Sequence, residues 1–316
     1  MFTFNIIIPT LRVNKLLITC VQNCIEQTYK NFIVTIIIDD LNNSDVIRKI
    51  FEDNKKEYKI IKSTQLNISE KRNIGAKSCD SKYLAFIDSD AYPNQKWLET
   101  GLHYLSDDSI VAIGGPSGIG FPNENYVRQL TNLAKKSFFC TSNLSLRKYS
   151  TKNHYFDWIE SCNFMIKKEK YEKINGMNKD YYIFEDLELC SRINNKYGKN
   201  KILFVGSLKV YHKDRNLFNF LKQRFVYGLH FQKSIKHSRG ISKFTSLIPL
   251  IAFLILLVYL PLIFFSITYG ILLLCIIFIS IILIYFDLKK FKINFFTFLL
   301  VTLLIHIVNL YIYLSK

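Results

Sequence analysis

The apolar positions of this 316-residue chain change their period along its length, and the changes mark its elements. "FNIII" (Phe4–Ile8) and "FIVTIII" (Phe32–Ile38) are short, β-branched runs without polar alternation. A strand covered on both faces reads this way, as in a parallel sheet. Between them Val13, Leu16, Leu17, Cys20, Val21, Cys24 and Ile25 recur at three-and-four spacing, which predicts an amphipathic helix within residues 13–29. Cys20 and Cys24 are read as packing residues on it. "YKIIKS" (Tyr58–Ser63) predicts a third strand. Asn67 followed by Glu70 is a helix-start signature that opens "SEKRNIGAKSC", and "KYLAFI" (Lys82–Ile87) is a fourth strand. Regular alternation of strand and helix predicts a doubly wound, mostly parallel α/β sheet.

The last quarter of the chain follows another pattern. From Phe244 to Phe286 no Asp, Glu, Lys or Arg occurs in 43 residues, and after "DLKKFK" the run Ile293–Ser315 adds 23 more. About 20 apolar residues cross a bilayer as a helix. Three transmembrane helices are therefore expected, at about 245–265, 267–286 and 293–314. The formal net charge is +17, of which residues 1–243 carry +14. Such basicity implies an anionic partner. Eight Lys or Arg against the single acid Asp214 fall between Lys213 and Lys243, just before the first apolar run, which favours lipid headgroups over nucleic acid. There, Leu217, Leu221, Phe225 and Leu229 recur every fourth residue and predict a helix lying on a membrane surface, with a core helix as the alternative.

"MFTFNIIIPTLR" lacks a basic leader region and is broken by Pro9, so it does not read as a signal peptide. The N-terminal part is then expected on the cytoplasmic face of a multi-pass cell-membrane protein, with the basic loop on the same side. Seven cysteines without a paired C-x-x-C arrangement fit a reducing compartment.

Candidate chemistry lies where predicted strands end, because open α/β sheets bind ligands at the carboxyl ends of their strands. Pro9-Thr10, Asp39-Asp40 and Asp88-Ser89-Asp90 occupy three such ends. Residues two apart on an extended segment share a side, so Asp88 and Asp90 can face one ligand. Their mutual repulsion calls for a cation, and carboxylate oxygens suit magnesium or manganese. "GGPSGIG" (Gly114–Gly120) opens no predicted helix and is read as a turn-rich loop, not a nucleotide fingerprint.

"IIIPT", "IIIDD", "SEKRNIGAKSCDSKYLAFIDSDAYPNQKWLE", "ESCNFMIKKEKYEKINGMN" and "FEDLELCSRI" follow one another in the order seen in family-2 glycosyltransferases of the GT-A fold, and residues 4–230 resemble that family. The resemblance implies a Rossmann-like GT-A catalytic domain and a nucleotide-diphosphate-sugar donor held by Pro9, Thr10, Asp40, Arg72, Asp88 and Ser89. It implies a metal, Mn2+ or Mg2+, on Asp90, His212 and Asp88, and a general base at Asp186 with Glu185 beside it. Two motifs depart from the family: "PTYN" reads Pro9-Thr10-Leu11-Arg12, and "DDGS" reads Asp39-Asp40-Leu41-Asn42, without the glycine that shapes the turn at the base. The Q-x-x-R-W signature of processive synthases is missing, so one sugar per event is expected.

Elementary chemistry agrees with the resemblance. Cleaving the bond from the anomeric carbon leaves charge on the diphosphate, which a divalent ion and His or Arg donors stabilise. The attacking hydroxyl must lose a proton, and a carboxylate on the opposite face gives single displacement with inversion. The expected organisation is a catalytic domain over residues 1–215, a basic amphipathic juxtamembrane segment over 216–243 and the transmembrane helices in 244–316. The expected reaction moves one sugar from a UDP-sugar, ahead of a GDP-sugar, to a membrane-associated acceptor such as a polyprenyl phosphate or lipid-linked saccharide. The rivals are a non-catalytic scaffold that keeps the fold, a nucleotidyltransferase, and a nucleic-acid-binding protein suggested by charge alone.

Overall fold

The computed structural model describes residues 1–64, 66–120, 125–141, 145–213, 215–230 and 267–314. The described chain divides into two compact units, Met1–Phe121 with Tyr149–Lys213, and Pro122–Lys148 with Asp214–Lys316. The first division of the chain thus adds residues 122–148, expected in the catalytic domain, to the C-terminal unit.

In the first unit, strand β1 (Phe2–Thr10), helix α1 (Lys15–Ile25), β2 (Phe32–Ile38), α2 (Ser44–Asp53), β3 (Tyr58–Lys62), α3 (Ile68–Lys77) and β4 (Ser81–Ile87) alternate as their patterns predict. Strands β3, β2, β1 and β4 lie side by side in that order, all parallel. Ile6 and Ile8 of β1 enter one hydrophobic core, with Leu17, Cys20 and Cys24 of α1; Ile7 enters the other, with Phe86, Leu189 and Ile193. This two-sided burial is the reason for the unbroken apolar runs. Asn14 caps α1, and Asn67 with Glu70 closes the reciprocal capping box expected at the start of α3. Asn5, fully buried, binds the Gly75 carbonyl at 2.9 Å and the Thr35 hydroxyl at 2.8 Å, which ties α3 to the sheet.

Beyond β4 the sheet departs from the expectation of a mostly parallel one. β8 (Asn163–Lys167) pairs antiparallel with β4 and with β6 (Ala112–Gly114); β9 (Ile202–Phe204) runs parallel to β6, and β7 (His154–Tyr155) antiparallel to β9. The result is a mixed eight-stranded sheet in the order β3-β2-β1-β4-β8-β6-β9-β7. "NFMIK" is as apolar as a parallel strand, and direction is not encoded in its pattern; the connections decide it. A second, two-stranded sheet joins β5 (Ala91–Pro93) to β10 (Val210–His212), with His212 opposite Ala91.

The first unit also holds α4 (Trp97–Leu105), α8 (Lys168–Glu172) and α9 (Glu185–Tyr197); the second holds α5 (Tyr126–Lys136), α6 (Phe138–Thr141), most of α7 (Leu146–Tyr149), α10 (Leu217–Leu229), α11 (Ile267–Leu288) and α12 (Phe295–Leu314). Its core gathers Ala134, Phe220, Leu288, Phe298, Val301 and Ile305. Phe220, not the predicted stripe, is the buried residue of α10, while Leu217, Phe225 and Leu229 stay exposed. Asp287 accepts from the Ser137 hydroxyl and the Phe138 amide, both at 2.7 Å, so a charged residue in an apolar helix has its partners. The expected span at 245–265 lies outside the described residues. Among the described residues, no helix is long and apolar enough to cross a membrane, so the spans expected at about 267–286 and 293–314 are not shown by α11 and α12.

The "GGPSGIG" loop earns its glycines by packing. A Cβ on Gly115 would drive into the backbone carbonyl of Leu208, just before β10, while the Ile119 carbonyl accepts from the His212 amide at 2.9 Å. Backbone cannot step aside as a flexible side chain does. Gly115→Ala is expected to lose about 1–3 kcal/mol, read as a lower Tm. An unchanged Tm would mean that this close approach is not maintained in solution.

Candidate active site

The carboxyl ends of β1, β2 and β4 converge as the topology requires, and α3 delivers two adjacent cations to them. Lys71 is 3% exposed; its ammonium binds the Thr10 carbonyl at 2.8 Å and the Asp39 carboxylate at 2.6 Å. Asp39 also accepts from Ser63 at 2.6 Å, at the end of β3. Arg72, 1% exposed, donates to Asp88 at 2.7 Å through one terminal nitrogen and to Glu185 at 2.9 Å through the other. Burial opposes its charge, but Asp88 and Glu185 outweigh burial and raise its pKa further. A charge on a solvated helix face is therefore excluded for Arg72.

The expected donor residues take different places around these cations. Pro9 is buried within β1, and Thr10 turns its hydroxyl to the Arg12 carbonyl. Ser89 is half-buried in the turn whose Asp88 carbonyl accepts the Ala91 amide. Asp40 is exposed, and its carboxylate accepts the Asn42 amide at 2.9 Å. Leu41, at the position of the family's glycine, has no positive φ; the left-handed residue here is Asn43, at φ 62°, just before α2. Asp39, a strand-end candidate, forms the inner pair with Lys71, which the sequence reading passed over. The available signal was spacing, since Lys71 lies three residues after Ile68 and four before Gly75, on the sheet-facing side of α3.

At the start of α9 the two expected catalytic acids separate. Glu185 is committed to Arg72 and also accepts from the Ser161 hydroxyl at 3.3 Å. Asp186 accepts the Ser161 amide at 3.2 Å and the Leu187 amide at 2.8 Å. An ionised Asp186 favoured by the helix dipole is the expectation from its position. Instead, desolvation, then Glu185 and Glu160, raise its pKa to about 7, against the two amide donors. Two amides at a helix end do not offset a carboxylate crowded by protein and by two like charges. Asp186 nonetheless stays partly exposed, within reach of a substrate. The residue before this pair, Phe184, has φ 65°, a left-handed conformation that costs a non-glycine residue about 1–3 kcal/mol. Strain of this kind gathers at functional sites.

His212 faces the carboxylates from β10. Its Nδ1 lies 3.0 Å from the Lys213 carbonyl, an acceptor only, so Nδ1 carries the proton. Nε2 then points at Asp90 Oδ1, 3.3 Å away, and Asp88 Oδ2, 3.9 Å away. A lone pair facing two anions is repulsive unless a proton or a metal cation intervenes. Asp88, His212 and Cys162 bring ligand atoms within 4.8 Å of one another. The residues present therefore fit a divalent ion: nitrogen and carboxylate donors converge, and the ring is already held in the ligating tautomer. Of the expected metal residues, Asp88 and His212 fall in this cluster and Asp90 sits against His212; Cys162 is the addition.

Comparison with known proteins bears on what such a site belongs to. Residues 5–175 match the model of glycosyl transferase family 2, and residues 142–213 the one described as the N-terminal domain of galactosyltransferase. Glycosyltransferase AglE of Haloferax volcanii is 25% identical over 158 residues, 46% of this chain and 52% of its own. The chain thus spans about half the length of that relative. Amylovoran biosynthesis glycosyltransferase AmsB of Erwinia amylovora is 22% identical over 219 residues, 66% of this chain and 69% of its own. Among solved structures, the mannosyltransferase PcManGT of Pyrobaculum calidifontis, in complex with GDP-Man and Mn2+, superposes with a TM-score of 0.54 at 14% identity, over 75% of this chain and 65% of its own. GalNAc-T7 with UDP, GalNAc and Mn2+ gives 0.50 at 17% identity, over 67% and 43%. These two likenesses establish a GT-A-like α/β fold. With a family model matched over more than half of its length and the acids of the matched segments gathered at one sheet edge, the chain belongs to glycosyl transferase family 2.

Proposed function

We propose that the chain transfers a single sugar, with inversion, from a nucleotide-diphosphate sugar to a membrane-associated acceptor such as a polyprenyl phosphate or a lipid-linked saccharide. The observation that carries the reading is the Arg72 bridge, which joins a cation-seeking edge at Asp88 to an acidic pair at Glu185-Asp186. Asp88, Asp90 and His212 would hold Mn2+ or Mg2+, which supplies charge neutralisation for a departing diphosphate. Asp186 takes the proton of the acceptor hydroxyl. A base with a pKa of about 7 is ionised often enough near neutrality and still basic enough to accept. The Ser161 and Leu187 amides hold it in place, and Arg72 fixes Glu185 and Asp88 in one frame. UDP-sugars are the first donor class to test and GDP-sugars the second, since solved relatives of this fold carry either nucleotide.

Membrane attachment belongs to the same proposal. It is supported by the 43-residue uncharged run and by the basic stretch that precedes it. Phe278, Ile279, Phe286, Phe295 and Phe296 of α11 and α12 are all more than half exposed, an apolar surface that suits lipid contact. Three membrane crossings with the catalytic unit on the cytoplasmic face follow from the positive-inside rule applied to "DLKKFK".

Asp186→Asn keeps the size of the side chain but removes the base, and it retains an acceptor for only one of the Ser161 and Leu187 amides. Transfer is expected to fall about a hundred- to ten-thousand-fold, while donor affinity measured by calorimetry on the same preparation changes little. Near-normal transfer would remove Asp186 from the reaction, and lost donor binding would make it a donor-site residue.

The pH profile gives a second test. Protonated Asp186 cannot accept a proton, so kcat should rise with pH through about 7 and level off above it. Because this folded pKa lies above the ordinary carboxylate value, wild type should lose stability relative to Asp186→Asn as pH rises from about 4 to 7. A flat rate profile together with a flat stability difference would contradict the assignment.

Arg72→Met leaves Asp88 and Glu185 without their shared cation. Breaking a buried pair in this way costs about 3–5 kcal/mol, so denaturant unfolding should show a loss of that order. A loss below about 1 kcal/mol, the range of exposed pairs, would mean that the bridge is solvated.

A further inference from the structure

The register of the main sheet places a thiol at the metal edge. Ile87 of β4 pairs with Asn163 of β8 in antiparallel register, so the residues that leave the two strands, Asp88 and Cys162, stand across from each other. The second sheet pairs Ala91 with His212 and brings the imidazole to the same point. Sγ of Cys162, a carboxylate oxygen of Asp88 and a ring nitrogen of His212 all lie within 4.8 Å of one another. Ligand bonds to a zinc-like ion are about 2.0–2.3 Å long. At tetrahedral angles such lengths separate the ligand atoms by roughly 3.5 Å. Side-chain rotations of about 1 Å would close this gap. All three residues are half-buried.

We propose that Cys162 is a ligand of the divalent cation, and that its sulfur makes this site favour thiophilic ions such as Co2+, Zn2+ and Cd2+ over Mg2+. The inference deepens the proposed metal-dependent transfer and rests on it for the function of the ion. Magnesium demands hard oxygen donors in near-octahedral array, whereas softer ions accept thiolate together with imidazole and carboxylate. The bound ion displaces the thiol proton to solvent, as it does at other cysteine sites. Another thiol approaches the same edge but is unsuited. Cys20 is fully buried in the core, where its Sγ contacts the Asp88 carbonyl at 3.7 Å. A hydrogen bond with Cys24, then burial, hold its pKa well above the ordinary thiol value.

Cobalt binding to the full chain in the presence of UDP tests the inference by optical spectroscopy. Wild type should develop a sulfur-to-cobalt charge-transfer band in the near ultraviolet, reversed by Zn2+ or Cd2+ and not by Mg2+. Cys162→Ser should lack the band and bind cobalt at least about tenfold more weakly, while Cys20→Ala retains both. Cobalt bound by wild type without the band, or a band that survives in Cys162→Ser, would overturn the role of Cys162. If the serine variant does not fold, alkylation of wild type by iodoacetamide, mapped by mass spectrometry, replaces it. Cd2+ should then slow labelling of Cys162 about tenfold relative to Cys79, and equal slowing overturns the proposal. UDP binding without any cobalt binding overturns the metal site as a whole and leaves the nucleotide reading standing; absence of both overturns the proposed function itself.

Discussion

A guanidinium that is 1% exposed cannot exist without anions, and Arg72 has recruited two from distant parts of the chain. Asp88 ends β4, whereas Glu185 opens α9 almost a hundred residues later. Arginine suits this position because its planar fork presents separate nitrogens to separate carboxylates. Buried ion pairs add little net stability, since desolvation offsets much of their attraction. Their strength lies in the penalty for any arrangement that leaves one charge unpaired. Helix α3, strand β4 and helix α9 are thereby held to one geometry at the edge where the chemistry is concentrated.

The same bridge sets the environment of Asp186. Glu185 accepts from Arg72, and its closeness works against ionisation of its neighbour. Burial and Glu160 add to this, and the pKa of Asp186 reaches about 7. Two adjacent carboxylates therefore differ in character: one is held in an ion pair with Arg72, the other has its pKa raised to near neutrality. The left-handed Phe184 aims the helix so that Ser161 can reach both acids. Stability is given up locally to obtain that arrangement.

The C-terminal unit follows a different physical logic. Its core is aliphatic and aromatic, but large apolar side chains also remain on its surface. Where polar groups do occur they have local partners, as Asp287 has in Ser137, Phe138 and Lys290. Cations lie over aromatic faces in the same region: Lys289 sits 4.5 Å from the Phe286 ring centroid. Such pairs let a basic side chain cover apolar surface while its charge stays outside.

Period and capping residues alone determined the first four strands, helix α1 and the capped start of α3, because local chemistry decides these features. Strand-end position also brought Asp88 and Asp90 forward as candidates, whereas Asp186 and His212 came forward only through the resemblance to family-2 glycosyltransferases. What the sequence could not express was pairing. The apolar run of β8 fits a strand of either direction, and only its antiparallel register with β4 sets Cys162 beside Asp88. Burial was equally hidden: "EKRN" reads as a charged helix face until the sheet covers it, leaving Lys71 and Arg72 enclosed with Asp39, Asp88 and Glu185. The pKa of Asp186 follows from that enclosure. Local pattern is written residue by residue, whereas charge proximity and desolvation exist only once distant segments have met.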